Sequence, residues 1–300
     1  MHPAACRYRG DANCRSVPKL TIIALRGVGH RPKAGTMSAI LWLNDLPLEL
    51  AAAVLVGGSI VVSLVGTAVA YSFFGAQQLN LNNIVGGFKY LFVSGIYAGF
   101  LGFLLFGVYN RYDKLRANIV EDVSELTTLD RLATAFPPGT ASQLRDGLKA
   151  YARQVVEVEW PQLRSRTANP LTATALDTLD YVYASVEPTT AKQQQVINTS
   201  RKILAKMRDQ RGVRVLRSFG VMQGLLWGVT IVGSVVAIVL PWLFGSPNFG
   251  ATMLMSVLSI TLMTSVVLVV LKLSYPFTGS SGIPPTPYLA FIAEVPRGGR

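Results

Sequence analysis

From Ser218 to Leu271 the chain reads SFGVMQGLLWGVTIVGSVVAIVLPWLFGSPNFGATMLMSVLSITLMTSVVLVVL, without one Lys, Arg, Asp, Glu or His. A soluble fold would need a very large core to hide so long an uncharged run. The run divides at Pro241-Trp242-Leu243-Phe244-Gly245-Ser246-Pro247-Asn248-Phe249-Gly250, where proline and glycine are dense enough to mark a turn. Each half then has about 20–25 residues, which at 1.5 Å per residue crosses ~30 Å of hydrocarbon. The block is therefore two membrane-spanning helices joined by a tight turn.

Two more apolar stretches lie upstream. Leu50 to Phe74 and Tyr90 to Tyr109 are also free of charge. Spans are expected at about 50–74, 88–109, 219–244 and 250–273. Composition agrees, with half of the residues hydrophobic and 15% charged, where soluble chains carry about 25%. The net charge of +12 raises the possibility of a nucleic-acid ligand. No zinc-finger spacing or RNA-binding aromatic motif accompanies it, so no nucleic-acid partner is expected. The lipid bilayer is the partner that the composition requires.

Loop charges orient the spans. Residues 75–87 and 245–250 contain no Lys or Arg, whereas Arg111, Lys114 and Arg116 follow the second span. Arg201, Lys202, Lys206, Arg208, Arg211, Arg214 and Arg217 precede the third, and Lys272 ends the fourth. Basic juxtamembrane residues stay cytoplasmic. Both termini and the middle segment are thus expected on the cytoplasmic side of the cell inner (plasma) membrane. Trp42, Tyr109, Tyr112, Tyr275 and Phe277 fall at the inner interface, and Tyr71, Phe73, Phe74, Trp242 and Phe244 at the outer one.

The fold class expected is all-α: a four-helix transmembrane bundle with a helical cytoplasmic domain, residues 110–217, inserted between the second and third spans. The flanking segments are 37–109, with the first two spans, 218–275, with the last two, and a C-terminal tail, 276–300. Within the insert, Pro137-Pro138-Gly139 stops the helix that continues from the second span. A second helix runs from about Ala141 to Trp160, with Leu144, Leu148, Tyr151, Val155 and Val158 at helical spacing, and Pro161 ends it. Asn169-Pro170 opens a third, to about Val186. Pro188 opens a fourth that can run unbroken into the third span.

Residues 1–36 hold both histidines, both cysteines and one acid, Asp11. The segment lacks a signal-peptide core and reads as a disordered leader or an over-extended start, with Met37 opening the natural chain. An intact mass beginning at Met1 would exclude the second option. After Met37 there is no His or Cys, which removes Ser-His-Asp and Cys-His catalysis and the usual zinc sites. No phosphate-binding glycine loop is present. Glu157 and Glu159 lie two apart and do not face each other on a helix, and Glu121, Asp122 and Glu125 read as structural or solvated. No enzymatic activity, metal or cofactor is expected.

The second span carries the most informative pattern. Lys89, Val93, Ile96, Phe100 and Phe103 form one helical stripe, and Asn82 and Asn83 sit at its outer end. A cation at a pore mouth attracts anions, and an apolar ring below it gates by dewetting. The bland reading has Lys89 snorkelling and the aromatics facing lipid. Gly95/Gly99 and Gly224/Gly228 are small-residue pairs that let helices approach closely in lipid.

Three stretches resemble the bestrophin-like domain family, a largely bacterial group of unknown function. They are Asn82-Asn83-Ile84-Val85-Gly86-Gly87-Phe88, then Tyr151-Ala152-Arg153-Gln154-Val155-Val156-Glu157-Val158-Glu159-Trp160-Pro161, and Tyr275-Pro276-Phe277-Thr278-Gly279. The resemblance covers roughly residues 45–285. The family's motif residues here are Trp160, Pro161, Pro276, Phe277 and Gly279. Where that family usually has an acid shortly before the Pro-Phe pair, this chain has Ser274. Through the family's name the resemblance implies likeness to bestrophins, which are pentameric anion channels with four spans and cytosolic helices. Two functions follow as expectations. One is a homo-oligomeric anion channel with the second span lining the pore. The other is a membrane-anchored interaction or sensory module acting through residues 110–217.

Overall fold

The computed structural model describes residues 34–81, 83–168, 175–222, 224–245, 248–279 and 281–294, and every regular element among them is helical. Four helices are long and apolar enough to cross a membrane: Leu48–Gly75, Gly86–Ala133, Gly224–Leu243 and Phe249–Ser274. Most of the basic leader, Asn82 and Asn169-Pro170 lie outside the described residues.

The chain opens with α1 (Ala34–Asp45) and α2 (Leu48–Ala52), which passes through a π turn at Ala53–Gly57 into α3 (Gly58–Leu81). The stretch expected as the outer loop is largely helical. Within α3 the helix is broken at Gly75 (φ 69°, ψ 150°), where a residue without Cβ enters the left-handed region. Beyond it Leu79 is buried under Gly245, whose added Cβ would meet the Leu79 Cβ at 2.5 Å. That contact holds the extra turn against the bundle.

Helix α4 runs from Asn83 to Ala133. At 1.5 Å per residue its 51 residues extend about 76 Å, more than twice the hydrocarbon thickness. Only Tyr90–Tyr109, between Lys89 and Arg111, lies within an uncharged apolar run. The part beyond Arg111 packs with α5 (Pro138–Gln154), α6 (Trp160–Ser165), α7 (Ala175–Ala184) and α8 (Ala191–Ser218). Leu115, Ile119, Leu126 and Leu129 of α4 share a core with Leu144, Leu148, Leu176, Leu179, Ile197, Leu204 and Met207. The segment after the fourth span folds back as α11 (Thr286–Glu294) and adds Tyr288 and Phe291 to the same core.

Expected boundaries of two helices are corrected. The second helix starts at Pro138, and Pro161 does not stop it: α5 passes through a π turn, Val155–Glu159, into α6, which ends where Arg166 turns left-handed (φ 60°). Proline interrupts a helix through its missing N–H and its ring. The wider turn before Pro161 places it in the first turn of α6, where that N–H is not required. Second, the fourth helix does not run on into the third span. Thr190 caps α8, accepting from the Gln193 N–H, and the helix stops at Ser218. Gly220 then takes φ 108°, and α9 (Gly224–Val239) starts afresh. A Cβ on Gly220 would lie 2.9 Å from Tyr275 Cε1, so the break and the Tyr275 ring are fitted to each other.

In the bundle, α10 (Phe249–Ser274) is the most buried span, with a third of its apolar window covered against 11–17% for the others. It is the central helix. Leu101, Leu104 and Val108 of α4 pack on its Val270. Val61, Val65, Phe73, Phe92, Leu225 and Leu262 point outward, as residues facing acyl chains do.

Candidate pore face and buried charge cluster

Three registers of α4 define three faces, each one residue and about 100° from the next. Tyr97, Leu101, Leu104 and Val108 face the chain's own bundle. The Tyr97 hydroxyl donates to Thr230 O at 2.8 Å and lies 2.9 Å from Ser234 Oγ, and its ring covers Gly233. One register back lie Val93, Ile96, Phe100 and Phe103. Phe103 is 83% exposed, Ile96 and Val93 are exposed, and Phe100 is half-buried against Tyr97. Lys89 is exposed at the end of this stripe. Back one more are Gly95, Gly99 and Gly102, where an added Cβ would meet nothing within 4 Å.

Gly224 and Gly228 are equally open, so none of the four glycines in the two expected pairs packs against another helix of the same chain. The close approaches are made elsewhere. The Trp242 ring lies on Gly66, Phe244 on Gly86 and Tyr97 on Gly233. Asn83, at the Lys89 end of the stripe, is engaged with the turn between the third and fourth spans: its Nδ2 donates to Gly245 O, and its Oδ1 accepts from Gly245 N at 3.3 Å.

The most concentrated chemistry lies outside the apolar runs. Arg214 of α8 is fully buried. Its Nη1 donates to Asp122 Oδ2 at 3.0 Å and to the Tyr288 hydroxyl at 2.9 Å, and Nη2 lies 2.8 Å from Glu159 Oε1. Arg211 Nε reaches Glu159 Oε2 at 2.7 Å. Tyr288 and Tyr151 both donate to Asp122 Oδ2. Two guanidiniums thus face two carboxylates, joining α4, the π turn, α8 and α11. Burial alone would push the Glu159 carboxyl up, but Arg214 and Arg211 outweigh it and hold it below the usual range. Burial opposes the charge on Arg214, yet Glu159, Tyr288 and Asp122 hold it cationic. Burial raises the hydroxyls of Tyr151 and Tyr288, so both remain protonated donors.

The cluster was not apparent from the sequence because Arg211 and Arg214 sit in a basic run that reads as juxtamembrane charge. Only their i, i+3 spacing, one face of a helix, hints at a shared acid. Glu157 is exposed and Glu159 buried, which agrees with their opposite facing. Asp122 and Glu125 are buried, while Glu121 is exposed and paired with Lys206.

Of the family's motif residues, Trp160 and Phe277 belong to the helical core beside this cluster, while Pro161 is exposed. The Trp160 ring packs edge-on against Phe277 and Tyr288, with centroids 5.5 and 5.7 Å away, and its Nε1 donates to Ile283 O at 3.1 Å. Pro276 O accepts from Ile283 N at 2.8 Å. Gly279 has φ 70°, and a Cβ there would strike Asn44 O. Buried Lys272 donates to Asn44 O and Leu46 O at 2.9 and 2.7 Å, fixing α1 to the end of α10. Ser274 is buried and donates to Val270 O at 2.6 Å, so this position carries a neutral local bond. No group of three or more metal-ligating side chains occurs among the described residues.

Four apolar helices that pack as a bundle, with a second helical core built on the extension of one of them, define a multi-span helical membrane protein. The chain belongs to the bestrophin-like family: the Bestrophin-like domain matches residues 57–288, which include all three motif stretches. No curated protein and no solved structure matches it.

Proposed function

We propose that this protein is a homo-oligomeric anion channel of the inner (plasma) membrane, with α4 lining the pore. The observation that carries this reading is the three-faced register of α4. A pore helix in a ring needs one face for its own subunit, one for the next subunit and one between them for the axis. Tyr97, Leu101 and Leu104 supply the first, and the open Gly95-Gly99-Gly102 face admits a neighbouring helix at close range. The stripe from Val93 to Phe103 falls between them, with Lys89 at its mouth to draw anions. The basic residues Arg111, Lys114, Arg116 and Arg217 support a cytoplasmic opposite end, with the α4–α8 core and both termini on that side. The test is chloride efflux from liposomes containing the full-length protein. Lys89→Glu should lower chloride selectivity severalfold and Phe100→Ala should raise the rate. A well-folded monomer, or an oligomer without flux, overturns the reading.

The alternative, a membrane-anchored interaction module, draws on the exposed apolar Val158, Tyr181 and Leu289 of the helical core. It requires a partner bound by the intact protein and lost on Tyr181→Ser with Leu289→Ser.

A further inference from the structure

At the inner end of the seam between α4 and α9 lies a cavity of about 230 Å³, walled by Phe100, Phe103, Leu104, Gly107 and Val108 of α4 and by Met222 and Leu226. Its walls are apolar and its rim is cationic. Arg111 lines it, and the Arg111 Nη1 donates to Val221 O at 2.8 Å, which fixes the guanidinium at the joint between α8 and α9. Arg217 Nη1 donates to Arg111 O at 3.3 Å, bringing a second guanidinium to the same turn. Both bonds go to backbone carbonyls, and among the described residues neither arginine makes an ion pair with a carboxylate. Asp113, two residues on from Arg111, faces another side of α4.

Two guanidiniums without acids, at the point where an apolar groove meets the interface, call for an anion attached to a hydrocarbon chain. We infer that this groove binds an anionic phospholipid of the adjoining leaflet, with one acyl chain against Leu104, Val108 and Leu226 and the phosphate on Arg111 and Arg217. Guanidinium suits phosphate because its planar donors make paired, charge-assisted hydrogen bonds. A helix from a second copy fits the rim less well. The runs Leu50–Phe74, Tyr90–Tyr109 and Ser218–Leu271 contain no Asp or Glu with which to neutralise it. The groove includes the inner end of the proposed pore stripe, Phe100 and Phe103, but lipid binding does not depend on conduction.

The experiment is native mass spectrometry of the full-length protein in mild detergent. The probes are phosphatidylglycerol and phosphatidylcholine with the same palmitoyl and oleoyl chains, and dihexanoyl phosphatidylglycerol. The wild type should retain the long-chain anionic lipid about tenfold better than the zwitterionic one, a difference of about 1.4 kcal/mol. Arg111→Gln with Arg217→Gln should abolish that preference, and Arg111→Lys with Arg217→Lys should restore most of it. Gly107→Leu, which places a side chain in space that is open, should reduce retention of both long-chain lipids. Arg111→Gln alone, on an exposed residue, serves if the double variant unfolds. Unchanged retention in the Gln variants overturns the inference. So does equal retention of the short-chain lipid, which would mean a headgroup site without a groove. A loss of oligomeric mass in Gly107→Leu with lipid retention unchanged also overturns it, in favour of a second copy. Retention is read without flux, so lipid binding in a protein that passes no chloride leaves this inference standing.

Discussion

Replacing Arg214 with methionine keeps most of the side chain's length and volume and removes its charge, which isolates the electrostatic part of the buried cluster. In the native arrangement Arg214 serves Asp122 at 3.0 Å and Glu159 at 2.8 Å. After the substitution Glu159 still has Arg211 at 2.7 Å. Asp122 keeps only the hydroxyls of Tyr151 and Tyr288, so one carboxylate is stranded. Removing one partner of a buried ion pair costs about 3–5 kcal/mol, and the lower end applies because Asp122 retains neutral donors. At about 2–4 °C per kcal/mol for a protein of this size, 3 kcal/mol lowers Tm by about 6–12 °C. Thermal unfolding in detergent, followed by far-UV circular dichroism, measures this. Arg201→Met, on an exposed position of the same helix, provides the control and should shift stability by less than about 0.5 kcal/mol. Adding Asp122→Leu to Arg214→Met removes the stranded charge and should recover part of the loss. If Arg214→Met melts within about 2 °C of Arg201→Met, less than the effect of 1 kcal/mol, the cluster does not hold these helices together.

Three further outcomes follow from the same geometry. Glu159 is held below its ordinary range in the folded state, so its contribution is fully present above the unfolded value of about 4.3 and fades as pH falls through the lower folded value. Melting temperature in acid should therefore decline less steeply in Glu159→Gln, which starts lower at neutral pH, and parallel curves would contradict this. Gly220→Ala forces a Cβ to φ 108° and to 2.9 Å from Tyr275, a cost of about 1–3 kcal/mol; Tyr275→Leu added to it should relieve only the steric share, as read from denaturation midpoints. Trp160→Phe leaves the Ile283 carbonyl without its donor, and melting should show a loss of about 1–3 kcal/mol.

The spans were legible because the bilayer imposes a length and forbids charge, and both constraints can be read along the chain without tertiary information. The stripe from Lys89 to Phe103 was legible for the related reason that helical registers are local. What required the structure was any feature set by partners distant in sequence. Arg214 and Asp122 are 92 positions apart, and nothing in the run from Arg201 to Arg217 separates a buried guanidinium from a solvated one. The break at Gly220 depends on the Tyr275 ring, so an uninterrupted helix was the natural local expectation there, whereas the helix beyond Gly75, held where Gly245 lies over Leu79, fell in a stretch expected as a loop. Pro161 shows the reverse case, in which a strong local stop is overridden by a π turn.

The burial of Arg214 also changes how the basic character of the chain is understood. Of the seven cations between Arg201 and Arg217, Arg211 and Arg214 are neutralised within the core, Lys206 pairs with Glu121, and Arg208 with Asp177 and Asp180. Four of the seven therefore act in holding α8 to α4, the π turn and α7. Such pairs contribute no field at the bilayer, because each charge is cancelled within a few ångströms, less than the ~8 Å over which salt screens a charge. Among the described residues, the cations without an acid partner beside the second and third spans are Lys89 at one end of α4's apolar run and, at the other, Arg111, Lys114, Arg116 and Arg217, the last group being the larger. That group clusters where α4 leaves the apolar run and α8 breaks at Gly220. A net charge of +12 is thus a poor guide to a soluble polyanionic ligand. Lys89 apart, its unpaired share beside the spans lies at one end of the bundle, the geometry that suits phosphate headgroups and the proposed anion path.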